Sequence, residues 1–267
     1  MNLILVILFC FLNCINSFNN NILIKASQAL RLSILIYKYD DTSKFSSITE
    51  YLKQKSYNDP LLDSISLYSP RGKVIKYISN NNTDLQVAIT KNFNKKKLCV
   101  VFRGTESVKD WFYNLLFSKI RLKNISIHKG FYLQLKENID EIDQIVLNNI
   151  NLKTDIVITG HSKGAALATI YGYLLSYKTK KKITIISFAS PKVGNWEFKN
   201  RFDNKSNLIH YRIANEKDLV CVIPIINYYH VGKVFKIKSN KYKLLNIKDH
   251  DIYEYYNNLM KLIDNKN

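Results

Sequence analysis

The chain is short of cysteine, lacks any metal-ligand spacing and any internal repeat, and carries few acidic residues for its basic ones. Each shortage closes off a class of protein. Of the four cysteines, Cys10 and Cys14 fall in an apolar N-terminal segment, which leaves Cys99 and Cys221 to a mature chain. Cys99 sits at the start of a strand pattern ending at Arg103, whereas Cys221 follows the end of a different strand. They are about 13 Å apart along the strand direction alone, while a disulfide spans about 7 Å between Cα atoms, so no disulfide is expected. The five histidines and two remaining cysteines show no metal-ligand spacing, so neither metal nor cofactor is expected. Without a repeat, solenoid and propeller architectures are excluded.

Only 21 acidic residues oppose 40 Lys and Arg, a formal net charge of +19. No nucleic-acid-binding motif surrounds the Lys-rich stretches "KNFNKKK" and "KTKKK", so nucleic acid is not an expected partner. Two readings of the charge stand: a solvated surface in a chain rich in Lys, Asn, Ile and Tyr, or attraction to an anionic lipid surface.

The segment Met1 to Ser17, "MNLILVILFCFLNCINS", lacks a basic residue near Met1, but otherwise has the form of a secretory signal peptide. Its apolar core of about ten residues is shorter than the roughly 20 that a membrane span needs. The sequence therefore predicts cleavage between Asn16 and Asn20, a secreted and soluble product, and one α/β domain over residues 18–267. A 46% hydrophobic content supports a sizeable core for that domain. In a eukaryotic secretory route Asn81, Asn124 and Asn204 head glycosylation tripeptides.

The chemistry concentrates in "IVITGHSKGAALA", Ile156 to Ala168. Gly160-His161-Ser162-Lys163-Gly164 fits the GxSxG nucleophile elbow, a weak signal alone. Its context strengthens it: Asp155 to Thr159 reads as a buried parallel strand and Ala165 to Leu175 as a largely apolar helix. Strand, sharp turn and helix are what present a serine hydroxyl to substrate, and the helix N-terminus beneath favours a developing oxyanion.

A serine hydroxyl needs a histidine to take its proton, and that histidine needs a carboxylate to fix its tautomer. On an α/β-hydrolase scaffold both follow the serine, acid first. After the strand "NLIHYRIA" come Glu216 and Asp218. Asp218 is preferred because it precedes the apolar "LVCVIP", whereas Glu216 beside Lys217 reads as a solvent-exposed pair; a turn carboxylate capping nearby amides is the structural alternative for Asp218. For the base, His161 reads as a packing residue and His128 and His210 precede the acid. His230 opens an alternating strand as a hydrogen-bonded structural histidine, and His250, in a polar loop before the last helix, is preferred. The oxyanion donors are the N–H of Lys163 and, after the apolar strand Leu98 to Phe102, Thr105 with its N–H and hydroxyl.

"VVFRGTES" followed by "DWFYNL", "HKGF", "ITGHSKGAALA", "FASPKVGN", "YRIANEKDLV", "YYHVG" and "DHDIY" stand in the order seen in the class 3, fungal-type triacylglycerol lipase family, which the chain resembles from roughly Leu85 to Tyr256. The resemblance implies an α/β-hydrolase fold with a central, mostly parallel sheet flanked by helices, a triad of Ser162, Asp218 and His250, and oxyanion donors at Thr105 and Lys163. Lys163 departs from the leucine usual after the nucleophile and would bring a charge near the acyl pocket. Ala165 and Val220 depart from a usual glycine and proline.

The function expected is hydrolysis of a lipid carboxylic ester through an acyl-enzyme on Ser162, with transient contact to a lipid surface. Triacylglycerol lipase, phospholipase A1 and plain esterase stay open within this class, and an inactive lipase-like membrane-binding protein is the alternative from another. In "DWFYNLLFSK", Asp110 to Lys119, helical spacing puts Trp111, Phe112, Leu115 and Leu116 on one face, which reads as an amphipathic lid or as a fixed core helix.

Overall fold

Runs of Val, Ile and Leu, β-branched or apolar on both faces, build a sheet that needs cover on each side. The computed structural model describes residues 20–38, 73–92, 96–105, 118–239 and 244–265. Its main sheet has seven strands in the order β1 (Lys73–Asn80), β2 (Leu85–Asn92), β3 (Lys97–Phe102), β6 (Asp155–His161), β7 (Ile183–Phe188), β8 (Leu208–Asn215) and β9 (Lys233–Ile237). β1, β2 and β3 pair antiparallel, and from β3 to β9 every pair is parallel. β4 (Lys119–Leu122) and β5 (Ile125–His128) form a separate hairpin.

Helices cover both faces. Leu98, Val100, Ile156 and Ile158 meet a core that includes Ala166 and Ile170 of helix α4 (Lys163–Leu175) and Phe131 of α2 (Lys129–Lys136). Ile142 and Val146 of α3 (Ile139–Asn148) and Phe198 of α5 (Trp196–Asp203) close the same layer. All but one residue of α4 is buried, as expected of a helix apolar around its whole circumference. On the other face, Val101, Ile186 and Ile213 pack with α1 (Asn20–Lys38) and α6 (Ile252–Asp264).

The expected strand Asp155 to Thr159 extends to His161, and the expected helix starts two residues earlier, at Lys163. α1 is an addition to what the sequence predicts: Leu23, Ala26, Leu30 and Ile34 recur at helical spacing and are all buried. Cys99 and Cys221 are both free, as the strand geometry predicts. Met1 to Ser17, with Cys10 and Cys14, and the four lid residues Trp111, Phe112, Leu115 and Leu116 lie outside the described residues.

Candidate active site

The turn between β6 and α4 is tight enough to dictate its own sequence. A Cβ on Gly160 would stand 2.4 Å from the Gly164 backbone, and one on Gly164 would stand 2.3 Å from the Phe102 carbonyl oxygen. Between them Ser162 adopts φ +60° and ψ −125°, a strained combination for a residue with a Cβ. Its N–H donates to the Phe188 carbonyl at 3.0 Å and so fixes the turn to the end of β7.

His250 Nε2 lies 2.7 Å from Ser162 Oγ, and His250 Nδ1 lies 2.9 and 3.1 Å from the two carboxylate oxygens of Asp218. A carboxylate only accepts, so Nδ1 carries the hydrogen and Nε2 is left to accept the serine O–H. That is the tautomer in which an imidazole can take a proton from a nucleophile.

Asp218 follows β8 and caps the short 3-10 turn Leu219–Val222, accepting the Val220 N–H at 2.9 Å. It also accepts the Tyr255 hydroxyl at 2.7 Å. Capping and orienting are thus done by one carboxylate. Burial alone would raise its pKa, but His250, then Tyr255 and the Val220 amide, favour the anion, and the net shift is downward. Glu216 is exposed.

The loop carrying His250 is fixed at several points. Asn215 Nδ2 donates to the Asp249 carbonyl at 2.9 Å, and Ser239 Oγ donates to the Asp249 carboxylate at 2.6 Å. His161 packs against this loop and also bonds to it. Its Nε2 lies 2.9 Å from the His250 carbonyl, which can only accept, leaving Nδ1 to accept the Tyr37 hydroxyl at 3.2 Å. Burial foremost brings the His161 pKa down to about 3, so this ring is neutral.

Of the two expected oxyanion donors, Lys163 is the first residue of α4, where the N–H has no intrahelical acceptor. Thr105 follows Gly104, which runs so close to the elbow that a Cβ there would lie 2.6 Å from the His161 carbonyl oxygen. The Thr105 hydroxyl is buried with no hydrogen-bond partner among the described residues. The Lys163 side chain turns away to Asp84 in the β1–β2 turn, its Nζ 2.8 Å from the carbonyl and 2.5 Å from Oδ2. The charge that the sequence would bring to the acyl pocket is therefore neutralised at a carboxylate.

The structure brings Ser162, Asp218 and His250 into one hydrogen-bonded chain, with Thr105 and Lys163 beside it. The other histidines serve elsewhere: His128 Nδ1 caps α2 by accepting the Phe131 N–H, His210 bonds Ser187 Oγ at 2.7 Å, and His230 donates to the Cys221 carbonyl at 2.6 Å. Tyr37, Tyr255 and Asp84 are the participants that the sequence does not single out.

Residues 99–228 match the family model described as Lipase (class 3). The chain is 26% identical over 179 residues to a lipase of Rhizomucor miehei, covering 63% of this chain and 49% of that protein. It is 32% identical over 110 residues to phospholipase A1-II 5 of Oryza sativa subsp. indica, covering 38% and 24%. The chain thus spans about half or less of the length of these curated relatives. Among solved structures, a triacylglyceride lipase of Rhizomucor miehei superposes with a TM-score of 0.68 at 21% identity, covering 81% of this chain and 80% of that one. Lipase II from Rhizopus niveus gives a TM-score of 0.68 at 18% identity, covering 85% and 84%. The sheet order and the structural likeness agree that the chain has the α/β-hydrolase fold, and residues 99–228 within it match the class 3 lipase family.

Proposed function

We propose that the protein is a secreted hydrolase of lipid carboxylic esters, acting through an acyl-enzyme on Ser162 without a cofactor. The observation that carries this reading is the His250 imidazole spanning Ser162 Oγ at 2.7 Å and Asp218 at 2.9 Å. In the proposed reaction Ser162 Oγ attacks the ester carbonyl carbon while His250 Nε2 takes the hydroxyl proton. The oxyanion accepts hydrogen bonds from the Lys163 N–H and from Thr105. The C–O bond to the alcohol breaks, His250 returns the proton to the departing alcohol oxygen, and a water activated by the same imidazole then hydrolyses the acyl-serine. Asp218 holds the imidazole in register and stabilises its charged form.

The relatives include proteins named as a lipase and as phospholipases A1, so neutral glycerides and phospholipids are both candidate substrates. Residues 1–17 are proposed as the secretory signal and residues 18–267 as one domain. Labelling the intact protein with a fluorophosphonate, locating the adduct by peptide mass spectrometry, and assaying p-nitrophenyl butyrate tests the reading. The expected result is an adduct on Ser162 and turnover that Ser162→Ala abolishes. Turnover surviving Ser162→Ala would refute it, and no turnover by either form would favour an inactive lipid-binding protein.

A further inference from the structure

Short side chains on two facing walls leave a cavity between α1 and the sheet. On α1, Lys25, Gln28, Ala29 and Leu32 recur at i, i+3, i+4 and i+7, share one face and line it. On the sheet, strand register sets Thr90, Cys99, Val157 and Thr184 side by side across β2, β3, β6 and β7, and all four line the same cavity. These small residues opposite Ala29 do not fill the space between helix and sheet, and about 190 Å³ remains.

The two ends of the cavity differ. α1 lies along the strands, with Ser33 Oγ 3.2 Å from Thr159 Oγ1 and the Tyr37 hydroxyl on His161. Toward that end the buried side chains of Leu32 and Ile186 close the cavity with apolar surface. At the other end, Lys97 and Asp155 are cross-strand neighbours at the starts of β3 and β6, Lys182 immediately precedes β7, and Lys25 stands in the second turn of α1. Three ammonium groups thus meet one carboxylate at the mouth, and none of the three forms an ion pair among the described residues. Lys25, Asp155 and Lys182 are exposed, so this end opens to solvent. The floor adds no charge, because burial pushes the Cys99 thiol up to about 11. The cavity is separate from the triad: β6 runs from Asp155 at the mouth to His161 beside Ser162, six steps of about 3.3 Å, which sets the mouth roughly 20 Å from the nucleophile.

We infer that this cavity binds a medium-chain fatty-acid anion, with its alkyl tail against Leu32 and Ile186 and its carboxylate among Lys25, Lys97 and Lys182. An apolar cavity of about 150 Å³ takes up benzene, so one of about 190 Å³ holds an alkyl tail of comparable bulk. A small inorganic anion leaves the apolar end unfilled, and an uncharged alcohol leaves the ammonium groups unanswered. The link to the protein's own reaction product rests on the hydrolase reading above, whereas the site itself does not.

The test uses the full chain, a double variant Lys97→Gln/Lys182→Gln and a separate variant Cys99→Leu, with folding checked by circular dichroism. Lys182 is exposed and Lys97 half-buried, so the double variant alters the mouth without touching the core, while Cys99→Leu fills the floor. Sodium octanoate below micelle formation, 1-octanol and sodium acetate are each titrated at constant ionic strength by calorimetry, and p-nitrophenyl butyrate turnover is measured alongside. In the parent, octanoate is expected to bind at least tenfold more tightly than octanol or acetate. The double variant should weaken octanoate at least tenfold and leave octanol unchanged, and Cys99→Leu should weaken both. Octanoate affinity equal in the parent and both variants overturns the site. Acetate binding as tightly as octanoate overturns the tail contact, and octanol binding as tightly overturns the ammonium contact; either ends the fatty-acid assignment. Octanoate binding that the double variant loses, in a parent that turns over no ester, upholds the site and refutes the hydrolase reading instead.

Discussion

The ammonium of Lys163 lies 2.5 Å from Asp84 Oδ2, across 79 positions of sequence. The residue whose N–H is the candidate oxyanion donor thus uses its side chain to fasten the β1–β2 turn against the elbow. The pair is lopsided, with side-chain exposures of 1% for Lys163 and 62% for Asp84. β2 then carries that anchorage onward, because the Gln86 carbonyl accepts the Arg103 N–H at 3.0 Å, two residues before Thr105.

Removing either partner has different consequences. Asp84→Ala strands a buried ammonium and is expected to cost about 1–3 kcal/mol, less than the roughly 3–5 kcal/mol of a fully buried pair because water reaches Asp84. Lys163→Met removes the charge but keeps the volume and the backbone donor, so it is expected to cost less than about 1.5 kcal/mol and to leave kcat within about threefold. Urea unfolding and ester turnover of both variants check this. A Lys163→Met enzyme that folds normally but loses activity by orders of magnitude would make the ammonium part of the chemistry.

The hydrogen-bonded chain predicts unit behaviour. Ser162→Ala and His250→Ala should each lower kcat by several orders of magnitude, with the double variant hardly worse than either. Asp218→Asn should cost on the order of 10⁴ in kcat by reversing the imidazole tautomer, while Glu216→Gln stays near the parent. His230→Ala should lower stability more than kcat, since its ring holds the Cys221 carbonyl. An inactive but well-folded His230→Ala beside an active His250→Ala would reassign the base.

Thr105 predicts a smaller loss. Its hydroxyl is buried and unpartnered among the described residues, so Thr105→Val, which keeps shape and backbone N–H, should lower kcat by about 10²-fold with KM little changed, as for loss of one oxyanion donor. An unchanged kcat would restrict the oxyanion site to backbone donors.

The elbow is legible in the sequence because its signal is local: a β-branched strand, two glycines around a serine and an apolar helix follow one another within Asp155–Leu175. Asp218 and His250 are accessible through chain order and the resemblance, since each occupies a loop after a successive strand. Their supports are not. Tyr255 reaches Asp218 across 37 positions and Tyr37 reaches His161 across 124, and a contact set by tertiary packing leaves no periodicity in either segment.

Four histidines make the protein acid-labile well above the carboxylate range. Burial foremost brings His128 down to about 4 and His161 and His230 to about 3, and holds His210 well below its ordinary value. In the unfolded chain histidines titrate near 6.5. Between these limits the unfolded state binds protons that the folded state refuses, so stability is full above about pH 6.5 and falls as pH drops, by up to about 1.4 kcal/mol per pH unit for each histidine. Asp218, with its pKa lowered, adds a loss only at still lower pH. Urea midpoints should agree at pH 8 and 7 and decline steadily from pH 6 to 5. A constant midpoint down to pH 4.5 would mean that these rings are charged in the folded protein.

Ser162 has 0% exposure, and Asp218 and His250 have 1% each, so an ester carbonyl can reach the hydroxyl only if a group above it moves. The expectation that Trp111, Phe112, Leu115 and Leu116 form that cover concerns residues outside those described, and it is tested by kinetics. Each large apolar side chain moved from water to an apolar surface is worth roughly 1.5–3 kcal/mol. Four of them exceed the roughly 5.5 kcal/mol that converts a 1:99 population to 99:1. A lipid surface is then able to hold the cover open where water holds it closed. Hydrolysis of tributyrin should therefore rise sharply once the ester exceeds its solubility, and Trp111→Ser with Leu115→Ser should flatten that rise while sparing the monomeric ester. A smooth saturation curve through the solubility limit in the parent would remove the lid and leave an esterase whose burial of Ser162 is relieved by ordinary fluctuation.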